Sequence, residues 1–105
     1  MDKVYKNSYA FGDFDPIMTE KPSSYVQGRV FGCFFDDDFG LMVRDSIGLE
    51  QITFETDYPH QDTTWPDTRA IVESYASFLS PYELKRIVRD NGLEMLGRDP
   101  SISLI

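Results

Sequence analysis

The chain has 105 residues, enough for one small domain and too few for two independent cores. Hydrophobic residues make up 41% of it and aromatics 14%, a composition that excludes a disordered tail. Ten Lys and Arg against eighteen Asp and Glu leave a net charge of −8, with no basic cluster to neutralise successive phosphates, so neither nucleic acid nor an anionic membrane is expected as a partner.

Residues 1–21 mix aromatics, charges and turn formers, as in Phe11-Gly12-Asp13-Phe14-Asp15-Pro16, without a sustained period of 2 or 3.6. They read as an irregular N-terminal segment with about one helical turn near Val4 to Tyr9. The organised part is expected to run over 22–105. It opens with a short helix started by Pro22 and ended by Gly28. Residues 29–35 form an almost continuous apolar and aromatic run between Gly28 and three aspartates, the pattern of a strand buried on both faces. Within it Cys33 reads as an inert buried thiol, and Phe34 and Phe35 as core residues rather than pocket lining.

Asp36, Asp37 and Asp38 sit where a helix N-cap belongs, with a metal cluster as the other reading of three adjacent carboxylates. Leu41, Met42, Asp45 and Ile47 follow at helical spacing, and Gly48 ends the element. The β-branched stretch 51–56 is a second strand, so the order is strand, helix, strand with a right-handed parallel crossover. Pro66 and Asp67 open a helix with Ile71, Val72, Tyr75, Phe78 and Leu79 on one face. Ser80-Pro81-Tyr82-Glu83 is a capping box, and Leu84, Ile87, Val88, Asn91 and Met95 carry the final helix forward until Gly97.

Several chemistries are bounded by single residues. Cys33 is the one cysteine, which leaves no intramolecular disulfide and no cysteine zinc site and fits a reducing, cytoplasmic compartment. No apolar run approaches the ~18 residues that span a bilayer, and the N-terminus lacks a signal pattern. His60 is the one histidine, so a metal site with two imidazoles would need donors from elsewhere. Two parallel strands also leave unpaired edges, and either further barrel segments or contacts between copies are expected to complete the sheet.

The run from Thr53 to Pro66, Thr-Phe-Glu-Thr-Asp-Tyr-Pro-His-Gln-Asp-Thr-Thr-Trp-Pro, resembles the last barrel strand and following loop of the metal-dependent amidohydrolase superfamily, in the amidohydrolase-2 branch that includes aminocarboxymuconate-semialdehyde decarboxylase-like enzymes. Phe31-Gly32-Cys33-Phe34-Phe35-Asp36-Asp37 is similar to that family's penultimate strand, and residues 85–97 to its closing helix. The resemblance runs from about Pro22 to Asp99 and implies an α/β fold, the last two strands and helices of an incomplete (β/α)8 TIM barrel. The histidines of the family's earlier strands have no counterpart here, so the chain resembles the C-terminal quarter to third of such a barrel.

The resemblance implies a hydrolase or decarboxylase acting on a small organic acid, amide or lactone, with a divalent metal ion, zinc, in the complete enzyme. No metal is expected to bind tightly to this chain alone, which is expected to be inactive by itself. Asp57 is the implied metal ligand and proton shuttle, although an Asp before Tyr-Pro read without the wider motif is a turn-forming cap. His60, three residues on, is either a contact to substrate or a solvent-facing loop histidine. Trp65 either walls the substrate pocket or packs beside the next helix. The period of 2 sets Thr53, Glu55 and Asp57 on one side of the strand, facing inward in a barrel, with Glu55 deeper and in need of a partner. The alternative function, from a different class, is a small acidic non-catalytic α/β interaction module that docks through its aromatic N-terminal stretch.

Overall fold

The computed structural model describes residues 1–12 and 18–102, which fall into two compact units, Met1–Val30 and Phe31–Ile105. The N-terminal unit holds helix α1 (Asp2–Phe11) and the short helix α2 (Pro22–Val26). The irregular segment expected over 1–21 is therefore corrected to a ten-residue helix up to Phe11, while residues 13–17 of that expectation lie outside the described residues. Two features explain the helix. Gly12 closes it in the left-handed conformation at φ 74°, with its N–H turned back on the last carbonyls. At the other end the Asp2 carboxylate accepts from the Ser23 backbone N–H at 2.9 Å and from the Ser23 hydroxyl at 2.6 Å. These bonds hold Asp2 below the usual carboxylate range. They also tie α2 to α1 within this unit.

The second unit is built on two parallel strands, β1 (Gly32–Phe34) and β2 (Ile52–Phe54), in the register Gly32 with Ile52, Cys33 with Thr53 and Phe34 with Phe54. The parallel pairing expected from the sequence is present, over three residues per strand. Between the strands lie α3 (Asp38–Met42), α4 (Arg44–Ile47) and a 3-10 turn at Leu49–Gln51. Asp37 is the N-cap of α3 and accepts from the Gly40 N–H at 2.8 Å. The single helix expected here is two short ones, with Arg44 at the junction holding the Leu41 carbonyl at 3.2 Å and Glu83 at 2.6 Å through its guanidinium.

After β2 come α5 (Thr68–Tyr75), α6 (Pro81–Lys85), a π-helical segment over Arg86–Asp90 and α7 (Asn91–Met95), the last three being one continuous helical run. Alternation along the strands sends Phe34, Ile52 and Phe54 to the face covered by helices. There Leu41, Ile52, Tyr75, Leu79 and Ile87 form the core, with Phe34, Leu49, Phe54, Ile71, Phe78 and Leu84 packed against it. The strand expected to be buried on both faces is thus buried on one. Cys33 is exposed on the opposite face, which corrects its reading as a buried thiol.

The π segment explains another difference. Its wider turn brings Lys85 Nζ within 2.7 Å of Asp90 Oδ2, five residues on, and shifts the phase of α7 against α6. Val88, on the apolar stripe of a regular helix, is therefore 37% exposed, whereas Asn91, on the same stripe, is fully buried. Asn91 Nδ2 donates to the Leu49 carbonyl at 2.7 Å and to the Ile52 carbonyl at 2.6 Å, fastening the helix to the start of β2. Gly97 then ends the run in a Schellman motif, with Gly97 N–H on the Glu94 carbonyl and Arg98 N–H on that of Leu93. No helix among the described residues is long and apolar enough to cross a membrane.

The capping box at Ser80 is present in full, and Glu83 accepts from the Ser80 N–H at 2.8 Å, the Ser80 hydroxyl at 2.7 Å and Arg44 at 2.6 Å. The Ser80 backbone, then Arg44 and the Ser80 hydroxyl, pull the Glu83 carboxyl from 4.5 down to about 2. A folded value below the unfolded one makes this contribution complete above pH 4.5 and lost as pH falls towards 2. Glu83→Gln is expected to lower the thermal unfolding midpoint at neutral pH and to unfold with the unsubstituted protein near pH 2. An equal deficit at both pH values, read by circular dichroism, would contradict this.

Candidate functional site

The loop after β2 carries all three residues that the sequence singles out. Glu55 N–H still donates to the Phe34 carbonyl at 3.0 Å, so strand-like pairing continues one residue past the end of β2. Asp57 then enters the left-handed region at φ 54°, the one non-glycine residue among those described with a positive φ. Aspartate tolerates this conformation better than most side chains, and the turn ends the alternation of the strand at that point. The Asp57 carbonyl accepts from the His60 N–H at 2.8 Å, closing a tight turn. Its Oδ2 lies 3.4 Å from His60 Nδ1, with the side chains 42% and 70% exposed respectively. Asp57 and His60 are thus brought together at the C-terminal end of β2.

The loop is held by threonines. The Thr56 carbonyl accepts from the Thr63 hydroxyl at 2.6 Å and from the Thr64 N–H at 3.1 Å. The Thr56 hydroxyl accepts from the Tyr58 N–H at 3.2 Å, and the Thr63 hydroxyl accepts from the Trp65 N–H at 3.2 Å. The Thr64 and Thr68 hydroxyls, 2.9 Å apart, join the loop to the first residue of α5. Both X-Pro bonds in this stretch, Tyr58-Pro59 and Trp65-Pro66, are cis. Tyr58 and Trp65 meet edge to face with ring centroids 6.0 Å apart, and together with Thr56 they line a hollow. Trp65 is 61% exposed and stands on the wall of that hollow.

On the sheet face away from the core, Cys33, Thr53 and Glu55 share a second hollow whose rim includes Gly92, Met95 and Leu96. The partner that Glu55 needs comes from the neighbouring strand, for Cys33 Sγ donates to Glu55 Oε1 at 3.0 Å. Glu55 is nonetheless exposed and not deeply placed. Its hydrogen bond, followed by burial and the charges of Glu55 and Asp57, pushes the Cys33 thiol above its ordinary value. Sequence reasoning missed the Cys33–Glu55 pair; equal phase on adjacent strands was the signal for it.

As donors to a metal, Asp57 and His60 supply two side chains, and among the described residues no group of three or more His, Cys, Asp or Glu side chains gathers as metal ligands would. A catalytic zinc takes about three protein ligands. Among the described residues these two side chains therefore stand without the further ligands a catalytic zinc takes. Compared with known proteins, the chain matches no protein-family model and no curated protein.

Proposed function

We propose that this chain is the closing part of a metal-dependent, amidohydrolase-like (β/α)8 barrel, a cytoplasmic hydrolase or decarboxylase acting on a small organic acid, amide or lactone. The observation that carries the reading is the Asp57–His60 pair, 3.4 Å apart at the C-terminal end of a parallel strand, where barrel enzymes hold their reacting groups. Asp57 holds or moves a proton at Oδ2, and His60 Nδ1 orients that oxygen. Trp65 forms a wall of the substrate pocket. The sheet face carrying Cys33, Thr53 and Glu55 turns towards the barrel interior, and other barrel strands complete both the sheet and the divalent-ion site. Asp57 and His60 would be this chain's share of the ligands to that ion, and the ion would supply the activation of a bound water.

A second reading, a small acidic interaction module, is favoured by one observation. Helix α1 buries no residue and leaves Val4, Tyr9 and Phe11 exposed. The reading frame upstream of the Met1 codon separates the two. A continuous frame encoding a strand that ends in His-x-His is expected from the barrel reading, and a stop codon close upstream would overturn it in favour of the module.

A further inference from the structure

Large aromatic side chains are seldom left bare in pairs, since each buries about 150 to 250 Å2 when it packs. Tyr58 and Trp65 are 65% and 61% exposed although they touch each other. Their mutual placement is fixed by the Thr56, Thr63 and Thr64 hydrogen bonds, so a steeply angled aromatic corner exists before any ligand arrives. The ordering cost of assembling it is met in the folded chain itself.

The charge of the segment that carries this corner is one-sided. From Ile52 to Thr68 the sequence carries Glu55, Asp57, Asp62 and Asp67 and neither Lys nor Arg, with His60 the one basic side chain. The nearest arginines along the chain are already engaged, Arg44 by Glu83 at 2.6 Å and Arg69 by Glu73 at 2.8 Å. An anion meets repulsion in this field, and a neutral apolar group gains nothing from the carboxylates. A cation gains from both components, since ring faces attract positive charge through their quadrupoles and the carboxylates raise its local concentration.

We infer that the Tyr58–Trp65 corner binds a small organic cation of the alkylammonium class. The trimethylammonium head is the simplest member, being bulky enough to touch two rings at once and too weakly hydrated to resist leaving water. The inference stands on the loop alone; joined to the barrel reading, it favours an amide or lactone carrying such a head over an organic acid as the substrate that Trp65 walls. A bare divalent metal is a different occupant, which would take the carboxylates and leave the rings untouched.

Trp65 is the one tryptophan, so intrinsic fluorescence reports this corner directly. The full chain is titrated with tetramethylammonium chloride at constant ionic strength in buffer containing EDTA, with tert-butanol as the neutral match in shape. A saturable change with a millimolar midpoint is expected for the ammonium and none for the alcohol. Tyr58→Leu should raise the midpoint about tenfold, and Asp62→Asn should raise it less. Both positions are exposed, and far-ultraviolet circular dichroism verifies that both variants fold. A linear, unsaturating response, an equal response to tert-butanol, or a midpoint indifferent to Tyr58→Leu would overturn the inference. None of these readouts depends on catalysis, so they leave the barrel reading standing or falling on its own test.

Discussion

Replacing Tyr75 with alanine is expected to remove about 3 to 5 kcal/mol of folding stability, the range for truncating a large aromatic core residue. Tyr75 is 1% exposed at the C-terminal end of α5, and its ring meets Phe54 edge-on with centroids 6.3 Å apart and Phe78 at 5.8 Å. It therefore joins β2 to α5 and to the turn after α5, and alanine would leave a cavity between them. For a chain of 105 residues a total stability of about 5 to 15 kcal/mol is usual, so the loss is a large share of the whole. Little of it belongs to the hydroxyl, which reaches the Phe35 carbonyl only at 3.5 Å. Tyr75→Phe should consequently cost less than about 1 kcal/mol. Urea unfolding of both variants checks the pair, and a Tyr75→Phe loss as large as that of Tyr75→Ala would contradict the assignment to packing.

Asn91→Ala is expected to cost about 2 to 4 kcal/mol, for a different reason. The side chain is fully buried, and its amide nitrogen donates to two carbonyls, those of Leu49 and Ile52. The Leu49 carbonyl also accepts from the Ile52 N–H, so it keeps one donor when the amide is removed. The larger share of the loss falls on the Ile52 carbonyl, in the buried start of β2, where no water replaces the amide. Asn91→Asp keeps the shape and presents oxygen to oxygen, so at neutral pH it should be worse than alanine and should recover part of the loss in acid. Denaturation midpoints measured at pH 7 and pH 4 test the order of the three proteins. An aspartate variant more stable than the alanine one at pH 7 would refute the account.

Features written in neighbouring residues were legible. The Asp37 cap, the Ser80 capping box and the glycine stops at Gly48 and Gly97 each depend on atoms within a few positions, and all are present. The parallel pair was legible because β-branched and aromatic runs bracket a capped helix. Helix α1 was not, because part of its support comes from Ser23, twenty-one residues away from Asp2. Val88 was misread because a stripe counted at 3.6 residues per turn loses phase across a π segment. In the candidate site, the approach of His60 to Asp57 followed from their three-residue spacing, whereas the left-handed Asp57 and the threonine bonds that set the Tyr58–Trp65 corner had no local signature.

The π segment also changes how insertions and deletions should be weighed. Most helices resist an added residue, yet Arg86–Asp90 carries what amounts to an extra one. Deleting one residue between Lys85 and Asp90 would leave a regular helix. Lys85 and Asp90 would then stand four residues apart, a spacing that keeps such a pair in reach on an α-helix, and Asn91 would stay close to its present side of the axis, facing the two carbonyls it now holds. The stretch between Ser80 and Asn91 thus has one residue of slack, held in the irregular turn.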